Sequence, residues 1–198
     1  GSNDVAIIGI HKSKAIENPS IFWGWKEDYE NYKKIEGDLQ EIKEMLKEWY
    51  GEPKSEDLSV ALVPRDKGGM YVRGALIVTQ SKMDEAYFND KKEWLIHGWA
   101  HEIAHFWFCY TSTATFNNWL DEAMAEYSSL SVCREIYGET HEEEYLKRIK
   151  AKFEEDLPPI KTILRTHPKA HTVYYYWGTL VLLENKKKIG FESLKEVL

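Results

Sequence analysis

Cysteine is scarce in this sequence. Cys109 and Cys133 are the only two in 198 residues, and they form no C-x-x-C pair. That excludes a disulfide scaffold and a cysteine-built zinc site, and both are expected as buried free thiols in apolar helical stretches. Long hydrophobic runs are missing too: none approaches the roughly 18 residues of a membrane span, and no charged-then-apolar leader opens the chain, so no membrane contact is expected of this domain. Positive charge is in deficit, with 26 Lys and Arg against 33 Asp and Glu and a net charge of −7. The lysines alternate with glutamates, so the basic stripe that a phosphate backbone needs is absent and nucleic acid is excluded as a partner. Aromatic residues are plentiful, with eight Trp, twelve Tyr and seven Phe. A disordered chain carries few of them, so a globular fold with a core is expected.

The chain opens on Gly1-Ser2 with no initiator Met, the residue pair left by a cleaved tag. An upstream domain, anchor or signal is therefore expected to have been removed. The compartment stays open between an extracellular or cell-envelope setting and the cytoplasm.

Hydrophobic periodicity orders the elements. Val5 to Ile10 reads as a strand. Tyr29, Tyr32, Ile35, Leu39, Ile42, Leu46 and Trp49 recur at three and four residues, predicting a helix stopped by Gly51 and Pro53. Leu58 to Val63 reads as a strand ending at Pro64, and a second strand, from about Met70 to Thr79, comes after Gly68-Gly69; the two are candidates to pair. Beyond about Lys91 the period is helical throughout: Lys92 to Tyr110, Trp119 to Tyr137, His141 to about Leu157, His171 to Lys188, and a last piece from Phe191. The expected fold class is α+β, one domain over residues 1–198 in which a small mixed sheet lobe (3–90) precedes an all-helical lobe (91–198).

The chemistry concentrates at His101-Glu102-Ile103-Ala104-His105. Histidines four apart stand one turn above each other on one helix face, so both imidazoles can reach one zinc ion. Glu102, about 100° round the helix, is placed to take a proton from a metal-activated water. A catalytic zinc wants a third protein ligand, and Glu122 in the next predicted helix supplies a carboxylate. Glu126, one turn on, is placed to accept the free N–H of His101 and set its tautomer. His97 extends the histidine series, but eight residues of helix rise about 12 Å, so it reads as a neighbour of the site and not a ligand. His11, His141 and His167 read as surface residues.

H-E-I-A-H-F-W-F and, further on, N-W-L-D-E-A-M-A-E-Y together resemble the gluzincin zinc metallopeptidases of the aminopeptidase N type, whose catalytic domain is similar to thermolysin. The family places eighteen residues between the second His and the Glu, and here Phe106 to Asp121 makes sixteen, a shortening that falls in the loop around Thr111 to Thr115. The resemblance covers roughly Ile42 to the C-terminus. It implies a thermolysin-like zincin with one zinc ion in the cleft, held by His101, His105 and Glu122. The family's Y-x-K-G segment falls on Tyr175-Tyr176-Trp177-Gly178, which implies that Tyr175 donates to the oxyanion, with Trp177 in place of the Lys. His171 is the rival donor, since thermolysin uses a histidine. Gly68 to Gly74 aligns with the family's G-A-M-E-N-x-G, so Gly69, Met70, Tyr71, Val72 and Arg73 are the expected substrate-binding edge strand.

Tyr71 stands where the family has the Glu that binds the substrate's α-amine. The resemblance thus implies zinc-dependent hydrolysis of a peptide or protein substrate, by an endopeptidase or relaxed peptidase rather than a strict aminopeptidase. Two alternatives stand beside it: an aminopeptidase that recognises the amine with another acid, and a zinc-holding binding or scaffold module of a larger protein. Glu102 argues against the module, because a purely structural site wants a fourth ligand and not a base.

Overall fold

Tyr32, Ile35, Leu39, Ile42 and Leu46 form the buried face of a 22-residue helix, α1 (Tyr29–Tyr50), entered through a 3-10 turn at Lys26–Asp28. Its stop is the expected one: Gly51 adopts φ 79°, a left-handed conformation open to glycine, and its N–H closes on the Lys47 carbonyl at 2.8 Å. The structure, a computed structural model, describes residues 22–53, 58–63, 70–72, 76–80, 85–112, 114–153, 157–190 and 193–194. The strand expected at Val5 to Ile10 lies outside them, as does most of the piece from Phe191. The chain folds as two compact units that divide between Trp107 and Phe108.

In the first unit four strands form a mixed sheet in the order β1-β2-β4-β3: β1 (Phe22–Trp23), β2 (Ser59–Val63), β3 (Met70–Val72) and β4 (Leu76–Gln80). β2 runs parallel to both β1 and β4, with Val60 opposite Phe22 and Ile77, and β3 runs antiparallel to β4, with Val72 opposite Leu76. The single strand expected over Met70 to Thr79 is therefore two. Residues 73–75, between the two, lie outside the described residues. The partner of β2 is the second of these strands, in parallel register. Val60, Ala61 and Leu62 are all buried, as expected of a parallel strand covered on both faces.

The same unit holds α2 (Glu85–Ala104), which packs against α1. Asp38 of α1 and Lys92 of α2 form an ion pair at 3.2 Å. α2 begins before the expected Lys92 and stops at Ala104, short of Tyr110. After it the turns tighten to i→i+3 bonds, Phe106 N–H to Ile103 O and Trp107 N–H to Ala104 O.

The second unit is helical. α3 (Asn118–Tyr137) is its centre: thirteen of its twenty residues are buried, and α4 (Glu139–Lys150), α5 (Gly178–Ile189) and the segment before α5 all pack on it. α4 ends at Lys150, seven residues short of the expected Leu157. The helix expected from His171 to Lys188 is a π-helical segment at Thr172–Trp177 running into α5. Gly178 marks the join with ordinary helical φ; a Cβ added there would lie 2.6 Å from Ala123 Cβ and 3.2 Å from the Trp119 ring. Its use is space between α5 and α3.

Candidate metal centre

Within the first unit, His97, His101 and His105 are 7%, 7% and 8% exposed. Three buried imidazoles at four-residue steps on one helix are costly to desolvate, a cost that proteins concentrate at functional sites. The rings of His101 and His105 lie 5.0 Å apart and nearly perpendicular, so successive turns bring them to one place as the spacing predicts. Glu102 is half-buried beside them, while Ala100, Ile103 and Ala104, on the same turns of the helix, are fully buried. The end of α2 is anchored: the Trp107 indole N–H donates to the Gly51 carbonyl at 2.9 Å, and its ring lies 6.5 Å from Tyr50. His97 lies 6.1 Å from the Trp94 ring.

Within the second unit, α3 buries three carboxylates in its first half: Asp121, Glu122 and Glu126. Each accepts hydrogen bonds from this unit. Asp121 takes both the N–H and the hydroxyl of Thr111, at 2.9 and 2.7 Å, and the N–H of Tyr110 at 3.3 Å, fastening the preceding loop to the start of the helix. Glu122 pairs through Oε1 with Arg165. Glu126 accepts the Tyr145 hydroxyl, and burial together with that carboxylate pushes the Tyr145 phenol well above its ordinary range. Arg165 also donates to Asn118 Oδ1 at 2.7 Å and to the Tyr175 hydroxyl at 3.4 Å. Burial pulls its guanidinium down; Glu122 and Tyr175 more than offset this, and the net shift is upward.

Tyr175 and His171 stack at 4.3 Å with planes 6° apart. Both lie at the π-helical segment, a geometry frequent at functional sites, with His171 as its exposed N-cap and Tyr175 half-buried inside it. Tyr174 instead turns into a core with Ile163, Ala170 and Val173, its hydroxyl donating to the Ile163 carbonyl at 2.8 Å.

Met70, Tyr71 and Val72 of the expected substrate strand form β3, whose pairing among the described strands is with β4 alone. Gly69 and Arg73 lie outside the described residues. His167 is exposed as expected, whereas His141 is 2% exposed, its ring 5.9 Å from Tyr137. The expectation of a surface residue there is overturned, because the helix that carries it begins two residues earlier and His141 opens its buried stripe, followed at four-residue steps by Tyr145 and Ile149. Neither Cys109 nor Cys133 is in a disulfide, but only Cys133 is buried; Cys109 falls past the end of α2, where the helical burial expected for it has ended. Asp121, Tyr145 and Arg165 went unforeseen. Asp121 alone carried a local signal, as an acid in the first turn of a helix.

No family model and no curated protein matches the sequence. Solved structures do. The chain is similar to an M1 zinc metallopeptidase from Deinococcus radiodurans, with a TM-score of 0.60 and 23% identity over 81% of this chain and 34% of that one. A mutant of the same enzyme bound to a Tyr-Ser-Ala substrate matches with a TM-score of 0.58 and 21% identity, over 81% of this chain and 35% of that one. The chain thus shares a fold with these M1 zinc metallopeptidases and spans about a third of the length of the proteins it matches. Among the described residues no helix is long and apolar enough to cross a membrane.

Proposed function

We propose that this chain is the zinc-binding core of a peptidase and that His101, His105 and Glu122 hold one zinc ion in a thermolysin-like arrangement. The observation that carries this reading is the perpendicular pair of buried imidazoles at 5.0 Å with a half-buried glutamate between them in sequence. The donor chemistry fits the metal: two imidazole nitrogens and one carboxylate form a three-ligand set that suits a catalytic zinc with an open position. The shared fold with zinc metallopeptidases supports it.

When bound, zinc supplies Lewis acidity to a water molecule and to the carbonyl of the scissile bond. Glu102 then has two tasks, taking a proton from the attacking water and delivering it to the leaving amine. Tyr175 donates its phenolic hydrogen to the carbonyl oxygen as that oxygen gains charge, a bond worth most in the transition state. β3, at an edge of the described sheet, offers backbone groups along which an extended peptide can lie. An M1 relative binds Tyr-Ser-Ala, and a short peptide is the substrate class proposed here.

The test separates ligation from chemistry. Purified protein should hold about one zinc per chain, and Glu102→Gln, which keeps the shape but loses the base, should hold it equally while hydrolysis falls on the order of 10²-fold or more. Elemental analysis without a transition metal after zinc-replete expression defeats the metal site. Unchanged turnover in Glu102→Gln defeats the mechanism.

A further inference from the structure

Arg165 joins two of the groups assigned above. One nitrogen, Nη1, serves both Glu122 Oε1 and Asn118 Oδ1, and the other, Nη2, reaches the Tyr175 hydroxyl. These contacts lie inside the second unit, and those to Glu122 and Tyr175 span 43 and 10 residues of sequence. The environments are unequal: the Glu122 side chain is 5% exposed and that of Arg165 is 44% exposed. The guanidinium is the counter-charge of a buried carboxylate, so removing it leaves the Glu122 charge without that compensation.

Donor chemistry has two consequences here. Arg has five N–H donors and no acceptor, so at the contact with Arg165 the Tyr175 oxygen must be the acceptor, and its own hydrogen is directed elsewhere. A phenol that accepts from a cation is also a stronger donor through its remaining hydrogen. At Glu122 the same cation takes up a lone pair of Oε1 and draws its charge, which favours Oε2 as the oxygen to meet a metal. A carboxylate constrained in this way is a one-oxygen ligand, and limiting it so preserves the open coordination position that a catalytic zinc requires.

We propose that Arg165 is a positioning residue of this site, holding Glu122 as a one-oxygen metal ligand and presenting the Tyr175 hydroxyl as a hydrogen donor toward substrate. The proposal rests on the zinc-peptidase reading. Lysine cannot replace the fork, since a single ammonium centre does not reproduce two nitrogens held in a plane.

Cobalt is the probe. The wild-type chain, Arg165→Met and Arg165→Lys are each loaded with Co(II), their visible spectra recorded, and their zinc affinities measured by chelator competition, with circular dichroism to confirm folding. Release of Oε1 in Arg165→Met lets Glu122 bind through both oxygens, so the visible absorption should weaken and shift as the coordination number rises. Zinc affinity should change on the order of tenfold or more, as for other residues that orient a metal ligand. On a peptide substrate kcat should fall on the order of tenfold or more with KM little changed, and most of that loss should vanish when the substitution is repeated on a Tyr175→Phe background. If Arg165→Met fails to fold, Arg165→Lys carries the same comparison, with a smaller spectral change. Metal uptake with unaltered cobalt spectra in both variants, or kcat losses that simply multiply with Tyr175→Phe, overturns the role of Arg165 alone. A wild-type chain that takes up no metal overturns the zinc-peptidase reading and this inference with it.

Discussion

Tyr175 and His171, the two candidate oxyanion donors, are one turn apart and stacked face to face, so the choice between them turns on the polar atoms and not on which ring is nearby. Tyr175 is engaged by Arg165 through its oxygen, whereas His171 is exposed at the N-cap of the π-helical segment. Tyr175→Phe keeps the ring and its stacking and removes only the hydroxyl. We therefore expect kcat to fall on the order of 10²-fold with KM and melting temperature nearly unchanged. His171→Ala should cost far less, and steady-state kinetics on the two variants decides; the reverse order would make His171 the donor. Individual residues are legible in the sequence wherever the chemistry is local. The pairing of His101 with His105 comes from a four-residue step that any helix converts into proximity. Arg165 on Glu122 and Tyr145 on Glu126 are separated by 43 and 19 residues, and no periodicity reports such pairs. His141 misleads for a related reason: a histidine next to an element end looks solvated until the packing of that end is known.

At the scale of elements, the approach of α5 to α3 depends on Gly178. The neighbouring atom, Ala123 Cβ, sits next to Glu122 in sequence and on a buried helix, so neither side has a flexible side chain that can yield. Gly178→Ala should push α5 away and destabilise the second unit by about 1–3 kcal/mol, the usual cost of overpacking, despite the better helix propensity of alanine. Urea unfolding should show a lower midpoint at an unchanged slope, and an unchanged midpoint would mean that the two helices part freely. The resemblance to Y-x-K-G marks this glycine in the sequence, yet its purpose is spatial, and only the neighbouring helix reveals that. Boundaries are harder to read than existence. α1 and α3 fall within a few residues of expectation because Gly51 and Gly138 stop them with positive φ, while α2 and α4 end at Ala104 and Lys150 with no glycine or proline there to mark the stop. The π-helical segment at 172–177 leaves no mark on the pattern, because its apolar and aromatic residues suit the helical period of α5.

For the molecule as a whole, the departure that matters most is Tyr71, which lies in the middle of β3 opposite Ile77. A strand is present at Met70 to Val72, and under the proposed function its backbone would pair with substrate, while the carboxylate that would bind a free α-amine is absent from that position. A carboxylate facing an ammonium makes a charge-assisted bond, and a phenol offers a neutral one, roughly half as strong. Recognition should therefore depend on strand pairing along the peptide more than on its N-terminus. An N-acetylated peptide of several residues should be cleaved about as well as its free-amine counterpart, with cuts at internal bonds. Mass spectrometry of products from matched acetylated and free peptides settles the point. Stepwise release of single N-terminal residues, blocked by acetylation, would show that another acid of this chain has taken over the amine, and that the peptidase works from the end of its substrate and not along it.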